Sequence, residues 1–375
     1  MSIENDREVG SGRRVRLGVA GLGRIGLLHA ENIAGRLSSV ELSRVVDADE
    51  TLARTTGNRL GVEWSTSYED LLADADIDGV AIATPTALHV EMVERAAAAG
   101  KHVFCEKPIS LDLPSTLAAI DGVRRAGIAF QVGFHRRFDP DWTAAAARIR
   151  AGELGDVFLF RTTLRDMKPP AIEYIGDSGG FFVDVTIHDL DTARWLVGEI
   201  EEVTSFGAAL SDPAFAELDD VDNAIVVLRF ANGALGVIDE SRVAGYGYEC
   251  STEVLGSRAT VRIGNHRRVN NVWLTPGSAA VDWVADFTER YANAYALELE
   301  DFAASIREQR RPAVTGEDGL AAFVLAQACD RSFREGRTIR LRYEERVGYV
   351  NYGRQRSPER RCVGARPAAQ RELGE

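Results

Sequence analysis

Residues 15–29 read Val15-Arg-Leu-Gly-Val-Ala-Gly21-Leu-Gly23-Arg24-Ile25-Gly26-Leu27-Leu28-His29. Val15 to Ala20 is a short β-rich run, the glycines follow at GxGxxG spacing, and an apolar helical pattern continues to Ile33. Strand, glycine turn and helix arrive in the order that a dinucleotide pyrophosphate requires. Gly21 permits a tight turn, Gly23 has no side chain to block the phosphates, and Gly26 lets helix and strand approach closely. The free N–H groups at the helix start, with Arg24 and Ile25 on the loop, then favour an anion. A second strand, Val40 to Val46, ends in Asp47, 21 residues after Gly26. That is close to the roughly 20 expected of the acid that holds the adenosine ribose hydroxyls. A carboxylate there repels a 2′-phosphate, so NAD is favoured over NADP, although Arg44 and Arg54 nearby blunt the repulsion.

Working outward, the alternation continues: a helix near Tyr68 to Leu72, strand Gly79 to Ala83, helix Ala87 to Ala99, strand His102 to Cys105, helix Leu113 to Ala126 and strand Ala129 to Gly133. Strands separated by helices imply a doubly wound parallel sheet, whose ligands bind beyond the strands' carboxyl ends. Thr84-Pro85-Thr86, Glu106-Lys107-Pro108 and Phe134-His135-Arg136-Arg137 fall there. Thr84 and Pro85 read equally as cofactor contacts or as a plain turn capped by Thr86. His89, Glu106 and Arg136 are grouped with the cofactor. Lys107, held between an acid and a proline at a strand end, reads as functional.

From about Gly155 the texture changes to amphipathic strands: Val157 to Thr163, Glu202 to Ala208, Asp222 to Phe230, Ala234 to Glu240, Glu249 to Leu255 and Ala259 to Ile263, with a hairpin signal at Asn232-Gly233. These imply an α+β domain with a large open, mostly antiparallel sheet, able to pair with another copy. Helices over 286–307 and 317–334 and a strand over 338–343 close the pattern. The expected organisation is therefore a polar lead (1–14), a Rossmann domain (15–135), a substrate-binding and oligomerisation domain (136–345) and an Arg-rich polar tail (346–375). Within the second domain, Asp184-Val-Thr-Ile-His188 on a helix places both side chains on one face, so that the carboxylate holds the imidazole. Read by itself, the same segment also fits a satisfied histidine at a helix start.

Composition bounds the alternatives. The chain has 375 residues, 45% of them apolar, 44 Lys+Arg against 57 Asp+Glu, and four cysteines. A formal charge of −13 repels phosphate backbones and anionic lipid. The exception is the tail, where residues 354–375 hold six Arg against three Glu, read as solvated. Cys105, Cys250, Cys329 and Cys362 show neither CxxC pairing nor a neighbouring zinc-spaced histidine, so no metal or disulfide framework is expected. A polar N-terminus, no run of 18 apolar residues, and Arg13-Arg14 leading straight into a strand point to the cytoplasm, without membrane or nucleic-acid partners.

The motifs GLGRIG, ATPTALH, EKP, GFHRRFD and GGFFVDVTIHDLDTARW, with TGEDGL at Thr315 to Leu320, resemble the glucose-fructose oxidoreductase and inositol dehydrogenase family (Gfo/Idh/MocA) from about Val15 to Leu341. The resemblance implies hydride transfer between a sugar or polyol carbon and NAD(P), with Lys107, Asp184 and His188 as the catalytic set. On that reading His188 is the base, Asp184 orients it, and Lys107 stabilises the alkoxide charge. Arg136, Arg165, Asp166 and Tyr291 join the set at the substrate, and Tyr295 is a further wall candidate. Arg165-Asp166 and Tyr174-Ile175 are similar to bacterial inositol 2-dehydrogenases, but Met167 stands where that pattern has proline. An inositol substrate is expected. The alternatives are an aminocyclitol, aminoglycoside or other pyranoside, which Asp166 and Glu173 would suit if cationic, and a non-catalytic NAD sensor. A homodimer or homotetramer through the open sheet is expected.

Overall fold

In the computed structural model, which describes residues 13–264, 267–269, 271–343 and 350–351, the first part of the chain alternates strand and helix as its apolar periodicity dictates. The order is β1 (Val15–Ala20), α1 (Arg24–Gly35), β2 (Val40–Val46), α2 (Glu50–Leu60), β3 (Glu63–Ser65), α3 (Glu69–Ala73), β4 (Gly79–Ile82), α4 (His89–Ala98), β5 (His102–Cys105), α5 (Leu113–Ala126) and β6 (Phe130–Val132). The six strands are parallel, in the order β3-β2-β1-β4-β5-β6. The strand order reverses between β1 and β4, which opens a crevice at their carboxyl ends. α2 and the edge strand β3 add to the expected elements. Asp49 accepts from the Thr51 and Leu52 amides to start α2, and Gly61, with φ 70°, ends it.

The second part comprises α6 (Pro140–Arg150), β7 (Val157–Arg165), α7 (Ile172–Asp177), α8 (Ile187–Val197), β8 (Ile200–Ala208), α9 (Pro213–Glu217), β9 (Asn223–Phe230), β10 (Leu235–Ser241), β11 (Glu249–Gly256) and β12 (Thr260–Ile263). A small hairpin, β13 (Trp273–Thr275) and β14 (Ser278–Ala280), precedes α10 (Phe287–Arg290), α11 (Ala292–Arg307), α12 (Gly316–Glu335) and β15 (Ile339–Arg340). Seven strands form one sheet, β12-β11-β7-β10-β9-β8-β15. It is antiparallel except for β7 and β10, which lie parallel side by side. The Asn232-Gly233 turn joins β9 to β10 as expected, with Gly233 at φ 91°.

Two expected elements are divided. The helix over 286–307 breaks at Tyr291, whose backbone (φ −108°, ψ 19°) leaves the helical range before the chain restarts at Ala292. The strand over 338–343 leaves the sheet after Arg340. Arg342–Tyr343 pairs instead with Val350–Asn351. The Arg-rich tail from 354 onward lies outside the described residues.

The two parts share their cores. Leu299, Phe302, Ala303 and Ile306 of α11 pack among Val15, Leu17, Val19 and Phe104 of the first sheet. α12 packs on α8 and β8 and reaches α5 and β6. Burying a side chain such as Phe302 contributes about 1.5–3 kcal/mol, so α11 is a structural part of both halves. Alternate residues of the second sheet, among them Phe160, Leu164, Val226, Leu228, Ile238 and Val254, pack inward, whereas Leu159, Phe206, Ile225, Val227 and Leu235 lie exposed on the other side.

Candidate active site

The glycine turn has the geometry its spacing requires. Gly21 takes φ +87°, and a Cβ there would stand 2.6 Å from the Ala83 carbonyl oxygen. A Cβ on Gly26 would lie 1.8 Å from the Gly21 oxygen, which fixes glycine at the strand–helix approach. At Gly23 a Cβ would meet nothing within 4 Å, so the space before α1 is open. α1 has no side-chain cap and no acid in its first turn, leaving its amides for an outside anion. Asp47 is locked by accepting from Leu22 N at 2.7 Å and Asp49 N at 2.9 Å. These residues fit NAD, the pyrophosphate at the turn and the ribose at Asp47.

Beyond the turn lies a cleft of about 630 Å³ between the two sheets' domains. Arg24, Ile25, Glu106, Lys107, Arg136, Asp166, Tyr174, Asp184, His188, Arg242 and Tyr295 line it. Lys107 Nζ donates to Asp184 Oδ1 at 3.1 Å and to the Asp184 carbonyl at 2.8 Å. Tyr174 Oη donates to the same Oδ1 at 2.8 Å, and Arg242 Nη1 donates to Oδ2 at 3.0 Å. Burial by itself would raise the Asp184 pKa, but Lys107 and Arg242 override it and hold the carboxyl at about 2. Burial likewise works against the Lys107 charge, and Asp184, Tyr174 and Glu106 reverse that, leaving its pKa raised. The cluster is therefore a charged lysine on an ionised aspartate at pH 7.

The expected Asp184–His188 bond is absent. Phe182–Thr186 form a π-helical turn ahead of α8, which swings Asp184 off the face that carries His188. His188 instead stands edge-on to Phe134 and His135, at centroid distances of 5.8 and 5.2 Å. Its Nδ1 is enclosed without a partner among the described residues, and the ring borders the cleft. Burial, then the charge on Lys107, lowers its pKa well below 6.5, so the imidazole is neutral.

Other expected site residues are placed differently. Arg136, expected at a ribose or substrate, borders the cleft but is buried, and its Nη1 donates to Asp189 Oδ1 at 2.7 Å. Arg165 turns to Asp239 at 2.6 Å and is not part of the cleft wall. Tyr291 lies behind the wall, 4.6 Å from the His135 ring, because the break after α10 turns it inward. Tyr295, stacked on the other side of His135 at 4.5 Å, lines the cleft. His89 is buried and bridges the Thr84 and Pro108 carbonyls at 2.8 and 2.9 Å, so it ties two loops together rather than meeting a cofactor. Thr84 and Pro85 sit at the carboxyl end of β4, as expected. Glu173 is exposed and outside the cleft.

Arg242, just beyond β10, was not singled out by the sequence. It follows an ordinary strand without a motif, and the one available signal was an arginine in an otherwise inward-facing run. A second cavity, of about 740 Å³, lies at the amino ends of β4 to β6. Its arginines, Arg124, Arg310 and Arg311, are spent on Asp121, Asp301, Glu308 and Glu317, and parallel sheets bind ligands at the opposite end.

Comparison with known proteins agrees with this fold. Residues 15–134 match the oxidoreductase family's NAD-binding Rossmann fold (GFO_IDH_MocA), and residues 146–341 match that family's C-terminal alpha/beta domain. The myo-inositol 2-dehydrogenase of Thermotoga maritima is 40% identical, covering 89% of this chain and 100% of its own. The inositol 2-dehydrogenase of Rhizobium meliloti is 41% identical, covering 87% and 99%. The crystal structure of scyllo-inositol dehydrogenase from Lactobacillus casei, with bound NAD(H) and scyllo-inositol, is 29% identical with a TM-score of 0.82, covering 88% and 99%.

Proposed function

The chain belongs to the Gfo/Idh/MocA oxidoreductase family, and from that premise we propose that it is an NAD-dependent dehydrogenase of a cyclitol, oxidising one ring hydroxyl of an inositol to a ketone. The observation that carries this reading is the charged Lys107–Asp184 pair facing a neutral His188 across one cleft. Gly21, Gly23, Gly26 and Asp47 would hold NAD, which supplies the hydride acceptor when bound. His188 Nε2 takes the hydroxyl proton, as a neutral imidazole can near pH 7. Lys107 donates to the same oxygen and stabilises its developing negative charge. Asp184 keeps Lys107 charged and aimed, with Arg242 and Tyr174 fixing the carboxylate in turn.

The cleft's charges favour a neutral polyol. Arg24, Lys107, Arg136, Lys168 and Arg242 stand against Glu106, Asp166, Asp184 and Asp286, so an amino-substituted ring gains no excess of negative charge. A non-catalytic NAD sensor has no use for the ionised pair beside a neutral base. The exposed apolar residues Phe206, Ile225, Val227, Leu235 and Leu159 form one patch, since Phe206 pairs with Ile225 and Leu235 with Leu159 in register. A second copy of this chain covers that patch in our reading, giving a homo-oligomer. Among the described residues no helix is long and apolar enough to cross a membrane. Cys105, Cys250 and Cys329 are buried and not in disulfides, which suits the reducing cytoplasm we propose.

The deciding assay is NAD reduction, followed by absorbance, over myo-inositol, scyllo-inositol, glucose, xylose and aminocyclitols, with NADP in parallel. Inositol turnover with NAD is expected. Turnover of amino-substituted rings alone would replace the substrate, and NAD binding with no turnover would favour the sensor.

A further inference from the structure

Arg24 leaves the glycine turn as the first residue of α1, and its guanidinium carbon stands 4.5 Å from the centre of the Phe287 ring, the first residue of α10. Both residues line the cleft, one from the nucleotide-binding part and the other from the second part. The cleft wall also carries Glu106, Asp166, Asp184 and Asp286. Even so, among the described residues Arg24 makes no ion pair and no side-chain hydrogen bond, and the ring face is what holds its guanidinium. Its charge is nevertheless felt in the cleft, where, after Arg242, it opposes the burial-driven rise of the Asp166 pKa.

Phe287 is a fixed post. Its ring packs half-buried on the core, and Asp286 caps α10 by accepting from the Glu289 amide at 3.0 Å. Glu289 accepts from Arg268 at 2.7 and 3.0 Å and from the Ala285 amide at 3.0 Å, and Arg290 is anchored behind by a buried 2.7 Å bond to Asp139. Arg24 is the movable partner, a long exposed side chain on the rigid start of α1. Depth places their contact at the solvent side. Lys107 and Asp184, further in, keep only 14% and 10% of their side-chain surface exposed. A face-on cation and ring attract through the ring quadrupole, an interaction that breaks and re-forms by rotation of one side chain.

We propose that Arg24 and Phe287 form a clasp across the mouth of the cofactor cleft, which parts to let the dinucleotide in or out and closes again over it. The contact is present in the empty cleft and restored in the filled one, so it adds to the barrier in both directions and little to the affinity. Loosening it should therefore speed uptake and release together, whereas loss of an ordinary cofactor contact speeds release alone. The inference rests on the NAD cleft of the reading above, and its test needs no substrate.

The experiment follows NADH fluorescence by stopped flow, on mixing for uptake and on displacement by excess NAD for release, in wild type, Phe287→Leu, Arg24→Lys and the double variant. Leu keeps apolar bulk at position 287 without a ring face, and Lys keeps the charge at the turn without the planar group that stacks. Each single variant should take up and release NADH faster by about threefold to tenfold, the scale of one cation–π contact, with Kd within about twofold of the wild type. The double variant should match the singles, since one contact is lost only once. Phe287→Tyr retains the ring face and should retain wild-type rates. Unmoved rates in both single variants would overturn the proposal, as would additive effects in the double variant or faster release with Kd raised in proportion. Arg24→Lys alters an exposed side chain, so the test stands even if Phe287→Leu does not fold. A wild type that binds neither NADH nor NADPH overturns the functional reading and the clasp with it, whereas binding with unmoved rates overturns the clasp alone.

Discussion

Asp184 is bonded to Lys107, 77 positions away in the chain, and not to His188, four positions along. The distinction matters for chemistry. An aspartate bonded to the histidine would raise the basicity of the imidazole, whereas one bonded to the lysine leaves a weakly basic ring beside a strong, fixed cation. The lysine's charge itself helps depress the His188 pKa. In the mechanism we propose, proton acceptance by His188 and charge stabilisation by Lys107 would be coupled through proximity, with Asp184 on the lysine's side only.

Lys107→Ala and His188→Ala are each expected to lower kcat by about 10² to 10⁴, the usual contribution of a positioned acid–base group. NAD affinity should stay near the wild-type value in His188→Ala. Steady-state kinetics with parallel NAD titrations check this, and full turnover in either variant would remove that residue from the catalytic set.

Arg242→Met leaves the buried Asp184 with half of its compensation. Removing one partner of a buried pair costs about 3–5 kcal/mol, so denaturant unfolding should register a loss near the low end, since Lys107 remains. Turnover should fall as well, because the Asp184 carboxyl becomes easier to protonate. Arg242→Lys should recover part of the stability.

Asp166 gives the cleft a titration within the assayable range. Burial pushes its pKa up to about 6, with Arg242 opposing and Asp184 reinforcing the rise. Its negative form is lost as pH falls through 6, so kcat/KM should show an acidic limb near pH 6 that Asp166→Asn lacks. The raised value also means that ionised Asp166 weakens the fold above pH 6. Asp166→Asn should accordingly be more stable than the wild type at pH 7.

Four histidines make the fold sensitive to acid. Burial lowers the pKa of His89, His102, His135 and His188 below 6.5, so the unfolded chain binds protons that the folded chain refuses. The stability they contribute is fully present above about pH 6.5 and is lost as pH falls below it, by up to about 1.4 kcal/mol per pH unit for each. Thermal unfolding from pH 7.5 to 5 should show this decline, and His135→Phe should flatten it.

The first sheet was legible in the sequence because its signals are local. Gly21, Gly23, Gly26 and Asp47 each answer to a neighbour a few residues away or to a fixed spacing. Lys107 was legible because its strand-end position in a parallel sheet is dictated by topology. What failed needed long-range geometry. Nothing local says that Arg165 finds Asp239, that Arg136 bonds to Asp189, or that the turn at Phe182–Thr186 widens and separates Asp184 from His188. Arg242 was passed over for the same reason: its meaning comes from a partner 58 positions distant, and no periodicity encodes that.

The placement of α11 against β1 and Phe104 has a consequence for biosynthesis. A ribosome releases residues 15–135 long before residues 292–307 exist, so the nascent nucleotide-binding half waits with the apolar side under Leu299 and Phe302 bare. Long-range closure of this kind is slow and leaves sticky surface open to other chains. Excising that half as a free-standing NAD-binding unit would make the wait permanent, and the fragment should aggregate unless a segment equivalent to 292–307 is supplied in trans.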